Sequence, residues 1–122
     1  MAVVKPFSCV RPDADLASRV AALPYDVYDR AEAKIEVNRE PLSFLAIDRA
    51  ETQFDDSVDM YSPQVYNKAK DLFEARVADK TFITDQDKTY YIYALTMDGR
   101  TQTGLVACAS IDDYLNIVIK KH

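Results

Sequence analysis

Four residues in predicted loops have side chains that suit the binding of a small anionic molecule: Arg11, Tyr25, Asp26 and Arg49. An arginine fits a phosphate group because its planar guanidinium donates two hydrogen bonds at once. An aspartate such as Asp26 can accept a proton from a substrate hydroxyl. Loops beside predicted strand ends often carry function. The alternative is that residues 24–26 form a rigid turn, in which the tyrosine packs and the aspartate caps the next helix.

A second set of candidate binding residues follows the dipeptide Asp98-Gly99. Arg100 and Gln102 project from the same side of a predicted strand, since side chains alternate along a strand. With Thr103 nearby, Arg100 can hold an anion. Gly104 inside the strand predicts a bulge or the close approach of another backbone or ligand. The alternative is that this segment is the exposed face of an antiparallel hairpin.

A third set consists of the carboxylates Asp55, Asp56 and Asp59, which are close together in an acidic segment. Paired carboxylates can act as acid and base or hold magnesium. The alternative is a solvated acidic loop. An EF-hand is excluded, because its ligand spacing and its central glycine are missing.

Most catalytic templates are excluded by residue counts. With only two glycines the chain has neither a Walker loop nor a dinucleotide-binding GxGxxG motif. Its one histidine is the last residue, His122, so a Ser-His-Asp triad would depend on the terminus. The ligand spacing of a zinc site is missing, and we predict no metal site. We expect Cys9 and Cys108 to be buried free thiols within strands.

The composition is that of a folded, acidic protein. The 122 residues fit one domain, and 48% apolar with 29% charged residues is ordinary for a globular protein. The net charge of −5 argues against binding to nucleic acid. No apolar run approaches the length of about 20 residues that crosses a bilayer. The sequence also lacks a signal peptide pattern. We therefore expect no membrane association and a cytoplasmic location.

The first half of the chain alternates short strands and helices. The patterns predict a strand over 3–10, a helix over 14–22, a helix over 30–38 and a central strand over 43–48. The first helix is predicted to turn Leu16, Val20 and Leu23 inward, with a turn at residues 11–13 before it. The second is predicted to be capped by Asp29 and to turn Ala31, Ala33 and Ile35 inward.

Residues 62–78 give the strongest helical signal. Ser62 is a good cap and Pro63 suits the first helical position. Apolar side chains then recur at helical spacing, which predicts an amphipathic helix over 63–78 laid on a sheet. The inward residues are Val65, Tyr66, Ala69, Leu72, Phe73 and Val77. The acidic stretch over 49–61 is predicted to be a mobile surface loop.

The last forty residues predict a hairpin. A short strand at 82–83 precedes a long strand over 89–97, and Asp98-Gly99 favours a type I′ turn into a returning strand over 100–109. Ser110 caps a helix that has barely two turns before the sequence ends, and such a short helix is marginal alone. We therefore expect residues 1–122 to be a single domain that is the N-terminal portion of a longer protein.

Together these elements predict an α+β fold. We expect one mixed or antiparallel sheet that includes the 89–109 hairpin, with helices mainly on one face.

Several motifs occur in an order that is typical of one family. They are Lys5-Pro6-Phe7, Arg11-Pro12, residues 20–27, Ser43-Phe44-Leu45 with Asp48-Arg49, Tyr61-Ser62-Pro63, residues 99–106 and residues 119–122. The chain resembles, over nearly its whole length, the N-terminal part of the bacterial and archaeal family called domain of unknown function 1015. Leu23 stands where that family often has proline, which we interpret as a neutral difference.

The resemblance implies a function shared with downstream sequence. Longer members carry an Asp-Gly-His-His-Arg segment similar to the signature of the ParB/sulfiredoxin-like superfamily, in which some proteins bind nucleotides and some phosphorylate free serine. That segment is absent from this sequence. The resemblance thus implies an N-terminal domain of a cytosolic protein that handles a nucleotide, with magnesium, or a phosphorylated small molecule. In this hypothesis Arg11, Asp26, Arg49 and Arg100 line one wall of a cleft that the remainder of the polypeptide completes.

The alternative hypothesis is a non-catalytic binding, regulatory or scaffold module, and a homodimer is possible. In the first hypothesis, replacing Arg49 or Asp26 in the full-length protein should abolish nucleotide-dependent turnover and leave the melting temperature nearly unchanged.

Overall fold

The computed structural model describes residues 1–119, which divide into two compact units. Residues 11–83 form what we call the helical unit. Residues 1–10 together with the chain from Thr84 onward form the hairpin unit. The last three residues of the motif at 119–122, Lys120, Lys121 and His122, lie outside the described residues.

Two short strands precede a run of helices, and four strands and a last short helix follow it, so the α+β class is confirmed. The α-helices are α1 (Ala17–Val20), α2 (Arg30–Arg39), α3 (Leu45–Asp48), α4 (Pro63–Ala78) and α5 (Ile111–Leu115). Two 3₁₀ helices cover Tyr25–Val27 and Ala50–Gln53. The strands are β1 (Val4–Lys5), β2 (Val10–Pro12), β3 (Phe82–Thr84), β4 (Tyr91–Met97), β5 (Arg100–Val106) and β6 (Cys108–Ala109).

The strands of the described residues pair in three two-stranded sheets: β1 with β6, β2 with β3, and β4 with β5. The predicted hairpin is confirmed as the antiparallel β4–β5 pair, with Met97 opposite Arg100. Its turn residues Asp98 and Gly99 have φ values of 51° and 73°. A type I′ turn requires positive φ at both positions, which glycine adopts at no cost and aspartate tolerates.

The core of the helical unit lies between α2 and α3. Ala33 and Val37 of α2 pack with Leu45 and Ala46 of α3, and the ring of Tyr28 covers them. The predicted cap at Asp29 is confirmed, since its carboxylate accepts a hydrogen bond from the Glu32 backbone at 2.8 Å. The Glu32 side chain in turn accepts a hydrogen bond from the Asp29 backbone, which completes a capping box. Of the residues predicted to face inward on α2, Ala33 is buried as predicted, but Ala31 is exposed and Ile35 is 68% exposed. The second buried residue of the helix is Val37, four residues after Ala33.

The apolar run over 43–48 was predicted as a central strand and is instead helical. The backbone amides of Ile47 and Asp48 both bond to the Phe44 carbonyl, and α3 covers Leu45–Asp48. A short apolar run between turn residues does not distinguish a buried strand from a buried helix. The helical conformation is favoured here because it places Leu45 and Ala46 against α2.

The N-terminal elements are shorter than predicted. The strand predicted over 3–10 is divided into β1 and β2, since Pro6 between them lacks a backbone donor. The predicted turn at 11–13 is partly strand, because β2 runs to Pro12. The helix predicted over 14–22 shortens to α1, which buries Val20 but leaves Leu23 58% exposed.

Helix α4 begins and ends at the predicted residues, Pro63 and Ala78. Its main contacts are with α3 and with the 3₁₀ helix Ala50–Gln53, and it also contacts strand β3 through an aromatic pair. Only Val65 of the predicted inward face is fully buried, and Tyr66 remains 59% exposed. The ring of Phe73 contacts Phe82 of β3, with ring centroids 5.8 Å apart.

The segment predicted to be a mobile loop is anchored to α2. Arg30 donates to the backbone carbonyls of Val58 and Asp55, each at 3.0 Å. The first part of the segment is buried, since Glu51 and Thr52 are only 2% and 5% exposed. The predicted surface loop therefore begins only after the 3₁₀ helix.

In the hairpin unit the predicted helix cap is present, because the Ser110 hydroxyl accepts a hydrogen bond from the Asp113 backbone in α5. Helix α5 ends at Leu115. The cysteines are free, but they are not both buried in strands as expected. Cys108 is exposed in β6, and Cys9 is half-buried between β1 and β2. No helix within residues 1–119 is both long and apolar enough to cross a bilayer.

Candidate functional site

The helical unit contains a cleft of about 250 Å³. Its walls come from the 3₁₀ helix Tyr25–Val27, the end of α3, the 3₁₀ helix Ala50–Gln53 and the start of α4. The polar residues that line it are Tyr25, Asp48, Arg49, Glu51, Tyr61 and Tyr66. Elements from four parts of the sequence thus meet at one depression.

Three tyrosines form the open sides of this cleft. Tyr25, Tyr61 and Tyr66 are 58%, 69% and 59% exposed, so their rings and hydroxyls are accessible. Beneath them the buried side chains of Ala50 and Val65 make an apolar floor. Exposed aromatic side chains over an apolar floor are typical of small-molecule sites.

A buried ion pair supports one wall. The Arg49 Nε atom lies 2.5 Å from Glu51 Oε1, and the two side chains are 9% and 3% exposed. Arg49 Nη1 also donates to the backbone carbonyls of Tyr25 at 3.1 Å and Tyr28 at 2.8 Å. These bonds fix the 3₁₀ helix that carries Tyr25 to the one that carries Glu51.

This arrangement limits what Arg49 can offer a ligand. A guanidinium has five N–H donors. The Nε hydrogen and both Nη1 hydrogens are used by Glu51, Tyr25 and Tyr28. At most the Nη2 hydrogens remain for a ligand. Arg49 therefore serves to hold the walls of the cleft together rather than to clamp a phosphate through two hydrogen bonds.

Asp48, Glu51, Tyr61 and Tyr66 line the cleft but were not singled out as candidate site residues from the sequence, and Asp48 is the most informative of them. It is the last residue of α3, and within residues 1–119 its carboxylate has no hydrogen bond or ion pair. Although Asp48 is partly open to solvent, burial by its neighbours raises the pKa of its carboxyl above the ordinary value. A carboxylate with a perturbed pKa in a cleft is a candidate functional group. The sequence pattern gave little indication of this role, because Asp48 is the last residue of the strand predicted over 43–48.

The raised pKa of Asp48 predicts how stability changes with pH. The folded protein holds this proton more tightly than the unfolded chain, so the charged carboxylate costs stability as pH rises through the folded pKa. Asp48→Asn should therefore increase the free energy of unfolding at pH 7, by less than about 1 kcal/mol because solvent screens the group. Below about pH 3 the variant and the original chain should be equal. Urea unfolding at the two pH values measures this, and a variant less stable at pH 7 would contradict it.

The sequence-derived candidates Tyr25 and Arg49 are brought together, as described above. Asp26 follows Tyr25 in the same 3₁₀ helix, but it is exposed and does not line the cleft. Arg11 belongs to the helical unit as part of β2, and it does not line the cleft either. The carboxylate that faces the cleft is thus Asp48, not Asp26.

The remaining candidates lie in the hairpin unit. Arg100 and Gln102 share one face of β5, opposite Met97 and Leu95, and they border an open surface depression. Thr103 is one residue on from Gln102, so it faces the other side of the hairpin. The structure does not bring Arg100 and Thr103 to one face as an anion site would require.

The expectation of a bulge or of a close backbone approach at Gly104 is wrong within the described residues, whereas the close approach of a ligand stays a prediction. Gly104 pairs in regular register with Tyr93, and a Cβ atom added at this glycine would meet no atom within 4 Å.

The acidic segment is held by its own neighbours. Asp56 pairs with Lys34 at 3.2 Å, and Asp55 accepts bonds from the backbone and hydroxyl of Ser57. Those bonds, with the backbone donor the largest cause, lower the pKa of Asp55. In the part of the chain that the structure describes, no group of three or more His, Cys, Asp or Glu residues is arranged to hold a metal ion.

Comparison with known proteins gives a family but no described activity. The family described as "Protein of unknown function (DUF1015)" matches residues 4–122, and the chain therefore belongs to this family. No curated protein matches the sequence, and no solved structure matches it.

Proposed function

We propose that this member of the DUF1015 family is a ligand-binding module whose cleft takes the nucleoside part of a nucleotide. The observation that supports the proposal is the unpaired carboxylate of Asp48, with a raised pKa, in a cleft with three exposed tyrosines. By itself the chain binds rather than transforms the ligand, since the described cleft has no histidine and Asp48 is its one carboxylate without a partner, Glu51 being paired with Arg49.

The chemistry of Asp48 suits donors on a sugar or a base. An ionised carboxylate has two oxygens and only accepts hydrogen bonds. It can therefore receive two bonds from neighbouring ribose hydroxyls or from an exocyclic amino group. Such bonds to a charged group contribute about 1.5–3 kcal/mol each.

The exposed tyrosines and the volume of the cleft suit a nucleoside. Tyr61 and Tyr66 stand open to solvent at the mouth, where a planar base can stack on an aromatic ring. The volume of about 250 Å³ is below the range of about 300–1,000 Å³ that is usual for drug-sized ligands. A nucleoside group fits this size better than a whole triphosphate does.

The phosphates of a nucleotide would extend out of the cleft. Within it, a phosphate would meet the negative charge of Asp48 and at most the Nη2 hydrogens of Arg49. The net charge of the chain, −5, also disfavours polyanions. We further propose a cytoplasmic location, because both cysteines are unpaired, as is usual in a reducing compartment.

Titration of the ¹⁵N-labelled chain with adenosine, cytidine, ribose 5-phosphate and inorganic phosphate tests the proposal. Amide shifts around Asp48 and Tyr66 should respond to a nucleoside. Asp48→Asn should weaken that binding about 10- to 100-fold, as expected for the loss of a charged hydrogen-bond acceptor. Asp26→Asn is the matched control, since it removes a carboxylate from the neighbouring 3₁₀ helix without touching the cleft.

Each outcome decides between sites. Nucleoside binding that survives Asp48→Asn, or that is lost in Asp26→Asn, contradicts the assignment of the cleft. Saturable binding of inorganic phosphate alone would favour the phosphate site that the sequence predicted around arginines. A titration without shifts at millimolar nucleoside overturns the proposal.

The same observation favours a second candidate, an enzyme acting on a nucleotide or a phosphorylated small molecule. A carboxylate with a raised pKa is better matched to proton transfer near neutral pH. In this case the remainder of the polypeptide would supply the other catalytic groups. Incubation of the product of the whole gene with ATP, magnesium and free serine, followed by mass spectrometry, separates the candidates, because only the enzyme yields a new product.

A further inference from the structure

The β4–β5 hairpin leaves apolar side chains open on both of its faces. Leu95 and Met97 on one face are 53% and 72% exposed, and Ile92 and Leu105 on the other are 71% and 63% exposed. A two-stranded hairpin is at best marginally stable in water, and three or more strands are usually needed. The hairpin thus has the composition of part of a larger sheet.

The outer edge of β4 lacks the usual protection against pairing. Its seven residues contain no charged residue, no proline and no glycine. Natural sheets protect free edges with lysine, proline or bulges, because an open edge pairs with other strands. Strand β5 is better protected, since it begins with Arg100 and contains Gly104. In residues 1–119 no third strand joins this sheet.

The register of the hairpin defines which backbone groups this edge offers. A two-residue turn makes its flanking residues, Met97 and Arg100, a hydrogen-bonded pair. Hydrogen-bonded and non-bonded pairs alternate from there along an antiparallel ladder. The N–H and C=O groups of Ile92, Ala94 and Thr96 therefore point away from β5 and are free to pair.

We propose that this edge pairs with β4 of a second copy of the chain, antiparallel and centred on Ala94. Ala94 then lies opposite Ala94 of the partner subunit, and Ile92 lies opposite Thr96 of the partner subunit. By symmetry Thr96 lies opposite the partner's Ile92, so there are three facing pairs, and each exchanges two backbone bonds, about six in all. The two hairpins become one four-stranded sheet.

Charge favours a second copy as the occupant of this edge. The chain carries a net charge of −5, yet over 91–106 its only charged residues are Asp98 and Arg100, which cancel. Self-pairing of β4 consequently places no like charges opposite each other, which would otherwise be destabilising. It also aligns the apolar row Tyr93, Leu95 and Met97 with the same row of the partner, so that one continuous face forms.

The mass of the chain in solution, measured by sedimentation equilibrium over a concentration series, tests the proposal. We expect a reversible dimer of twice the 13.8 kDa chain mass. Ala94→Pro removes the central outward N–H of β4, and Thr103→Pro removes the equivalent N–H on the outer edge of β5. The first variant should be monomeric at concentrations where the second is still a dimer.

A second pair of variants covers the case in which proline prevents folding, as shown by circular dichroism. Ala94→Lys places two lysines directly opposite each other in the dimer, whereas Thr103→Lys places its lysine at the far edge. Loss of the dimer in the first alone supports the proposal. The proposal is overturned by a monomeric original chain, by equal effects of both variants, or by aggregates without a defined mass.

Discussion

Replacement of Arg49 by methionine is expected to lower the free energy of unfolding by about 3–5 kcal/mol, which is the usual cost of breaking a buried ion pair. The change removes the guanidinium that lies 2.5 Å from the Glu51 carboxylate and leaves that carboxylate 3% exposed without its cation. It also removes the donors to the Tyr25 and Tyr28 carbonyls. Urea denaturation followed by circular dichroism measures the loss.

Two control variants distinguish the effect of breaking a buried ion pair from the effect of shortening an arginine side chain. The double variant Arg49→Met with Glu51→Leu removes both charges, and it should recover much of the loss because a buried pair can be replaced by apolar residues at little cost. Arg19→Met breaks the ion pair with Glu40, in which the arginine side chain is 52% exposed, and should leave the unfolding midpoint nearly unchanged. Equal effects of Arg49→Met and Arg19→Met would contradict the burial of the Arg49 pair.

The expected instability changes how variants of this site are interpreted. The sequence suggested that replacing Arg49 would spare the melting temperature, and its burial argues against that. Loss of binding in an Arg49 variant would therefore not distinguish a ligand contact from a collapsed wall. Asp48 is the better probe of the cleft, because its neutral amide replacement is expected to stabilise the fold rather than weaken it.

The elements that the sequence predicted well are those with local start and stop signals. Helix α4 begins at Ser62-Pro63, where serine precedes a proline at the first helical position, and the β4–β5 turn uses Asp98-Gly99. The Asp29 capping box is local in the same sense. In each case residues within a few positions decide the backbone conformation, so a pattern in one sequence is sufficient.

What the sequence could not predict depends on tertiary neighbours. Residues 45–48 form a helix because α2 supplies the surface that Leu45 and Ala46 cover. The burial of Arg49 likewise could not be predicted from its position in an apparent loop, since its partners Tyr25 and Tyr28 are more than twenty residues away in the sequence. Asp48 lies in a cleft only because α4 and both 3₁₀ helices pack around it, which the sequence pattern did not predict.

Replacement of Leu45 by alanine is expected to cost about 2–5 kcal/mol, the range for truncating a fully buried leucine. Leu45 is 0% exposed and belongs to the cluster that joins α2 to α3. Its removal leaves a cavity under the end of α3, which carries Asp48 into the cleft. The measurement is the unfolding midpoint and slope in urea, together with the amide spectrum of the folded state.

Ile35→Ala provides the contrasting control. The helical pattern predicted Ile35 to be inward, but it is 68% exposed on α2 and loses little apolar contact when truncated. Alanine also has the higher helix propensity, so this variant should be neutral or slightly more stable. If Ile35→Ala instead cost as much as Leu45→Ala, the inward face of α2 would be the one that the sequence pattern suggested, and the packing of α3 against Ala33 and Val37 would be wrong.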